Sequence, residues 1–150
     1  MKRIAFICHG NICRSPAAEF IMREILLERG MDKEFEVDSL ATSFEEIGND
    51  VYPPMKAALA KAKIKCYSHR ARRFEKGDYD RFELVFYMDG HNRRVLEFTH
   101  PDTAHKYHPV TMFRSDIAEI EDPWYSHRYD LVVTQLRECL AAIAEHLCEL

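Results

Sequence analysis

The 150-residue chain lacks any long apolar run. Met1-Lys2-Arg3 is followed by only five apolar residues, Ile4 to Cys8, short of a secretory h-region. Nowhere do the roughly 18 consecutive apolar residues of a membrane span occur. There is no Cys-x2-Cys pair, and the eight histidines, His100, His105 and His108 among them, show no zinc spacing. Neither a G-x-G-x-x-G nor a Walker motif is present, so nothing points to a nucleotide. Glycine is scarce, at five, with no Gly/Ser linker, internal repeat or low-complexity stretch. That implies one domain over residues 1–150. Positive charge is not in excess: Lys+Arg number 21 against 25 Asp+Glu, a net charge of −4. Nucleic acid and polybasic membrane binding are therefore not expected. The cysteines number five, an odd count, and with no leader segment the expectation is a cytoplasmic protein with reduced thiols. No metal or other cofactor is expected, and the expected state is a monomer.

Short apolar runs alternate with helical patterns. Ile4 to Cys8 is continuously apolar, as a strand covered on both faces is. Ala18, Ile21, Met22, Ile25 and Leu26 then fall on one helical face, with Ser15 suited to the N-cap, Pro16 to the first helical position and Gly30 to the stop. Phe35–Ser39 reads as a weaker strand, and Pro53-Pro54 opens a helix to about Lys63. Leu84–Met88 reads as a second buried strand, Asp89 as the cap of a short helix or a partner of the acid described below, and Tyr107–Phe113 as a fourth strand. Tyr129, Val132, Val133, Leu136, Leu140, Ile143 and Leu147 share one face of a C-terminal helix. Strands alternating with helices imply a parallel sheet covered on both sides. Ligands then sit beyond the carboxyl ends of the strands, where Cys8 and Asp89 fall.

The segment Cys8-His9-Gly10-Asn11-Ile12-Cys13-Arg14-Ser15-Pro16 carries most of the chemistry. A thiol ends a strand, and a short loop follows with Gly10 and Asn11, two residue types that tolerate left-handed backbone. A helix begins at once. Loop N–H groups and a helix N-terminus make an anion site, and a guanidinium such as that of Arg14 grips two phosphate oxygens at once. Thiols in such positive surroundings are the reactive ones. Nucleophile and phosphate cradle thus share one loop, in the C-x5-R-[ST] pattern of cysteine-dependent phosphatases.

Strand before, helix after and a position near residue 10 narrow the match. The chain resembles the low-molecular-weight protein tyrosine phosphatases. Their loop, Cys-x-Gly-Asn-Ile-Cys-Arg-Ser-Pro, is matched at every fixed position, with His9 where the family commonly has Leu. The likeness continues in Asp38-Ser39 with Thr42-Ser43, in Ser68-His69-Arg70-Ala71-Arg72, in Met88-Asp89 with Asn92, and in Asp122-Pro123-Trp124-Tyr125. The resemblance implies a flavodoxin-like, Rossmann-like phosphatase fold in three layers, a four-stranded parallel sheet between helices. It implies a phosphotyrosine-bearing protein or peptide as substrate and inorganic phosphate as product.

By the same resemblance, Cys8 is the nucleophile, Arg14 the phosphate clamp and Asp122 the general acid. His9, Gly10, Asn11, Ile12, Cys13, Arg14 and Ser15 form the phosphate loop. Asn11, Ser15, Ser39 and His69 form its supporting network, and Cys13 is a thiol able to capture an oxidised Cys8. Phe44, Glu45, Trp124 and Tyr125 are the expected pocket wall. Ile12 resembles the tyrosine-directed members, since relatives acting on phosphoarginine carry Thr there. An arsenate reductase on this fold would need two further cysteines around 81–90, a stretch that holds none. A thiol redox protein would leave Arg14 and the Asp-Pro-Trp-Tyr segment unexplained, and a mere phosphate-binding module would need the loss of Cys8 or Asp122.

Overall fold

A computed structural model describes all 150 residues. Strand β1 (Lys2–Cys8) lies between β2 (Phe35–Ala41) and β3 (Leu84–Tyr87), and β4 (Tyr107–Pro109) follows β3. All three pairings are parallel. The helices are α1 (Arg14–Glu28), α2 (Pro53–Lys61), α3 (Lys76–Arg81), α4 (Gly90–Thr99), α5 (Pro123–Ser126) and α6 (Tyr129–His146). No helix is long and apolar enough to cross a membrane.

The period-2 geometry of β1 divides its apolar run between two cores. Ile4, Phe6 and Cys8 join a cluster of 33 buried residues that includes Ala18, Ile21 and Met22 of α1 and Val132, Leu136 and Ile143 of α6. Ala5 and Ile7 turn to the other face, where a cluster of eight takes in Leu40, Phe74, Val85 and Leu96. Burial on both faces is why β1 carries no polar residue between Ile4 and Cys8. The same alternation puts Cys8 at the sheet's carboxyl edge on the α1 side.

Several boundaries differ from those the residues suggest: β2 runs on past Ser39 to Ala41, α2 stops at Lys61 before Lys63, β3 stops at Tyr87 before Met88, and two differences are larger. Tyr107–Phe113 is a strand only to Pro109. This is the sheet's edge, where a proline that cannot donate ends a ladder readily. Helix α1 begins at Arg14 with Cys13 at its N-cap, so Ser15 is not the cap. Its hydroxyl is drawn instead to Asn11 and Cys8. The far end of α1 closes as expected. Gly30, at φ 69°, lets Met31 N–H reach Leu26 C=O at 2.8 Å and Gly30 N–H reach Leu27 C=O at 3.1 Å. Two short helices, α3 and α5, have no apolar periodicity to announce them.

Candidate active site

The loop between β1 and α1 folds around Cys8. Its sulfur is buried, 3.0 Å from Ser15 Oγ and 3.4 Å from the Ser15 backbone nitrogen, whose N–H points to it. That N–H belongs to the first turn of α1 and has no intrahelical partner of its own. Asn11 takes the left-handed backbone the turn needs, at φ 59°, and is fully buried. Gly10 has no positive φ. A Cβ there would meet Glu46 Cγ at 3.3 Å, so a larger residue would require that side chain to shift by a few tenths of an ångström.

Every polar atom of Asn11 that holds this turn is partnered. Nδ2 donates to Ser15 Oγ at 2.7 Å and to Ser39 Oγ at 3.0 Å, and Oδ1 accepts from Arg72 N–H at 3.2 Å. Its carbonyl meets His69 Nε2 at 2.6 Å. Asn11, Ser15, Ser39 and His69 are thus brought into one network. Behind Ser39 the chain of bonds goes one step further, to the buried carboxylate of Glu19 at 2.8 Å.

Arg14 is buried from its Cβ to its guanidinium, with 2% of its side chain exposed. Nη1 donates to Asp89 Oδ2 at 2.7 Å and to the Ile120 carbonyl at 2.8 Å, and Nη2 lies 3.6 Å from Asp122 Oδ2. Burial works against the charge on Arg14, but the neighbouring Cys8, Asp89 and Asp122 outweigh it. Burial alone would push the Asp89 carboxyl up. The Arg14 and Asn92 hydrogen bonds, with the charges of Arg14 and His91, hold it below the usual carboxylate range. Asp89 also caps α4, its Oδ1 accepting Asn92 N–H at 2.9 Å. It is therefore a cap whose second oxygen serves Arg14, and it makes no hydrogen bond to Asp122. Burial, then the charges of Cys8 and Asp122, push the Cys13 thiol up to about 12.

Asp122 sits at the N-cap of α5, its Oδ1 accepting Trp124 N–H at 3.0 Å. Pro123, the first helical residue, suits that position because its missing N–H would be unpaired there anyway. Trp124 leans on Tyr52, ring centroids 5.0 Å apart. A cavity of about 180 Å³ opens above Cys8, lined by His9, Arg14, Glu45, Glu46, Asp122, Trp124 and Tyr125 among others. Phe44 is not among its walls. It points to solvent beneath the Arg73 guanidinium, 4.0 Å from the ring centroid. The polar neighbours take the wall instead: Glu45 meets His9 Nε2 at 2.9 Å, and Glu46 accepts Asn49 Nδ2 at 2.6 Å. Glu46 and Glu19 escape sequence reasoning, since nothing in their spacing separates them from solvated carboxylates.

A thiol at the foot of a helix N-terminus, a buried arginine beside it and a doubly covered parallel sheet define a cysteine-type phosphate-loop α/β protein. The family model described as "Low molecular weight phosphotyrosine protein phosphatase" matches residues 3–150. The chain belongs to that family. It is 32% identical over 153 residues to "Low molecular weight phosphotyrosine protein phosphatase 1" of Drosophila melanogaster, covering 99% of this chain and 97% of that one. It is 32% identical over 150 residues to the human low molecular weight phosphotyrosine protein phosphatase, covering 96% and 94%. The crystal structure of YfkJ from Bacillus subtilis superposes with a TM-score of 0.92 at 27% identity, covering 99% of this chain and 96% of that one.

Proposed function

We propose that this protein tyrosine phosphatase hydrolyses phosphotyrosine in proteins and peptides, and small aryl phosphates, through a cysteinyl-phosphate intermediate and without a metal. The observation that carries this reading is the placement of Cys8 Sγ 3.4 Å from the Ser15 nitrogen at the helix N-terminus, in the same cavity wall as Arg14 and Asp122. A phosphoryl transition state spreads charge over three equatorial oxygens, with attacking and leaving atoms in line. Arg14, already fixed by Asp89, and the amides of residues 9–15 supply the complementary charge. The Cys8 thiolate attacks phosphorus. An S–P bond forms, the P–O bond to the phenol breaks, and the Asp122 carboxyl gives its proton to the departing oxygen. Water then attacks phosphorus, Asp122 takes a proton from it, the P–S bond breaks, and inorganic phosphate leaves with Cys8 restored as thiolate. Ser15 Oγ, donating to the sulfur, stabilises that thiolate as a leaving group.

Trp124 and Tyr125 supply aromatic walls for the tyrosyl ring, and Ile12 an apolar floor. The oxidised form is proposed to be a reversible Cys8–Cys13 disulfide, and the protein a cytoplasmic monomer. Hydrolysis of p-nitrophenyl phosphate by wild type and by Cys8→Ser tests the chemistry, with single-turnover trapping of the phosphocysteine. The serine variant is expected to lose activity and the wild type to carry a labile phosphate on Cys8. Undiminished hydrolysis by Cys8→Ser would sink the mechanism.

A further inference from the structure

The polar chain behind Cys8 has a direction, and it can be read from proton counts. Asn11 Oδ1 must face the Arg72 N–H, a donor that needs an acceptor. The amide is therefore oriented with Nδ2 toward the serines, and its two hydrogens go to Ser15 Oγ and Ser39 Oγ. Ser39 has one hydroxyl proton, and the acceptor it meets is Glu19 Oε1 at 2.8 Å. Ser15 has one hydroxyl proton, and with Asn11 donating to its oxygen that proton is free for Cys8 Sγ at 3.0 Å. Every link points toward a definite end: Asn11 donates to both serines, Ser39 to Glu19, Ser15 to sulfur.

Glu19 closes this scheme because it offers only acceptors. Its Oε1 takes Ser39, and its Oε2 takes Arg23 Nη2 at 2.7 Å. It is also an expensive residue to bury. Only 5% of it is exposed, and burial pushes its carboxyl above the ordinary range even though Ser39 and Arg23 pull the other way. An i,i+4 pair with Arg23, whose side chain is 40% exposed, would form as well on the surface of α1.

We infer that Glu19 is a positioning residue for the reaction, acting through Ser39 and Asn11 to keep the Ser15 hydroxyl proton on the Cys8 sulfur; this rests on the proposed role of Cys8. A neutral amide at position 19 breaks the direction. The Arg23 guanidinium captures the amide oxygen, so the NH2 turns to Ser39. The Ser39 oxygen then faces two donors, and its own proton has no acceptor, a costly state for a buried hydroxyl. One rearrangement open to the network is to rotate the Asn11 amide, which gives up the Arg72 N–H bond but presents Oδ1 to both serines and draws the Ser15 proton away from sulfur.

The test measures the pH dependence of carbamidomethylation of Cys8 by iodoacetamide from pH 4 to 9, located by peptide mass, beside steady-state kinetics on p-nitrophenyl phosphate. Glu19→Gln is expected to move the midpoint of the alkylation profile to higher pH, slowing alkylation on its acid limb, and to lower kcat by about five- to tenfold, roughly the worth of one hydrogen bond, with KM changed less than twofold. Ser39→Ala cuts the link, so Glu19→Gln on that background is expected to add nothing. Arg23→Gln removes the ion pair but leaves the acceptor, and is expected to keep alkylation within twofold of wild type. Full additivity in the double variant, an Arg23→Gln effect as large as that of Glu19→Gln, or unchanged alkylation in Glu19→Gln would each overturn the inference. If Glu19→Gln does not fold, Glu19→Asp takes its place: a carboxylate one methylene shorter cannot hold Ser39 and Arg23 together, and the same loss, absent on the Ser39→Ala background, is required. Retained hydrolysis in Cys8→Ser would instead remove the functional reading beneath it, which keeps the two failures apart.

Discussion

Asp89 holds Arg14 from behind. Its Oδ2 lies 2.7 Å from Arg14 Nη1, and the Ile120 carbonyl takes the same nitrogen at 2.8 Å. The guanidinium is thereby oriented before any phosphate arrives, which is the form of electrostatic catalysis that needs no reorganisation during reaction.

Asp89→Asn is therefore expected to lower kcat/KM on p-nitrophenyl phosphate by about ten- to a hundredfold, the value of a hydrogen bond to a charged group at roughly 1.5–3 kcal/mol. The asparagine still caps α4, so the folded state is expected to survive. A kcat/KM within twofold of wild type, with an unchanged melting temperature, would show that Arg14 is held without Asp89. The carboxyl of Asp89 is depressed in the folded protein. Its contribution to stability is thus complete above the ordinary carboxylate range and is lost as pH falls through its lowered value. Asp89→Asn should accordingly blunt the acid side of the stability profile, read from urea midpoints between pH 2 and 5.

For Asp122 the discriminating variable is the leaving group. Asp122 caps α5 through one oxygen and faces Arg14 with the other. Asp122→Asn retains the cap and removes the proton donor. General acid catalysis contributes about 10²–10⁴-fold, and it matters most where the phenolate is least stable. The loss on phenyl phosphate is expected to exceed that on p-nitrophenyl phosphate by at least tenfold. Equal losses on both esters would reject Asp122 as the acid.

Much of this site was legible in the residues because its core is local. Cys8, Asn11, Arg14 and Ser15 lie within eight positions between an apolar strand and an amphipathic helix, so spacing alone brings them together. What stays hidden depends on where loops return. Arg14 and Asp89 are 75 residues apart, and a helix-capping aspartate looks the same whether or not its second oxygen is engaged. Ser15 was readable as an N-cap because hydroxyls favour caps; the structure shows a competing use, since Asn11 and Cys8 claim the hydroxyl. Phe44 and Glu45 sit in a loop with no periodicity, so nothing in the residue order says which faces inward. A contact far along the chain decides it: the aromatic stacks under Arg73, outside the cavity, and leaves that part of the wall to carboxylates.

That acidic wall makes a prediction about peptides. Glu45, Glu46 and Asp122 line the cavity, and only His9 and Arg14 offset them. Arg14 is already committed to Asp89, and His9 to Glu45. Phosphotyrosine peptides with a lysine or arginine beside the tyrosine are expected to react faster than acidic ones. Glu45→Lys should reverse that preference. The pair is exposed, so the change in the ratio of kcat/KM values is expected to be about two- to fivefold, in line with roughly 0.2–1 kcal/mol for surface ion pairs, and to shrink in 0.5 M salt. A preference that Glu45→Lys leaves intact would place the selection elsewhere on the rim.

The buried thiols predict an alkaline limit to stability. Burial pushes the Cys139 thiol up to about 11, and Cys13 up to about 12, from an ordinary value of 9.0. Between pH 9 and 11 the unfolded chain has lost both protons while the folded chain keeps them. Because the folded state then binds more protons, stability falls as pH rises, by on the order of 1 kcal/mol per pH unit for each retained proton. Raised tyrosines, Tyr107 foremost, add to the decline above pH 10. Cys139 is fully buried in α6, so Cys139→Val removes one share while adding about one methyl group of volume, a packing cost that is the same at every pH. Urea unfolding in reducing buffer is expected to show wild type losing more stability than Cys139→Val between pH 8 and 11, by about 1–2 kcal/mol. Parallel losses in the two proteins would mean that the Cys139 proton is not retained in the fold.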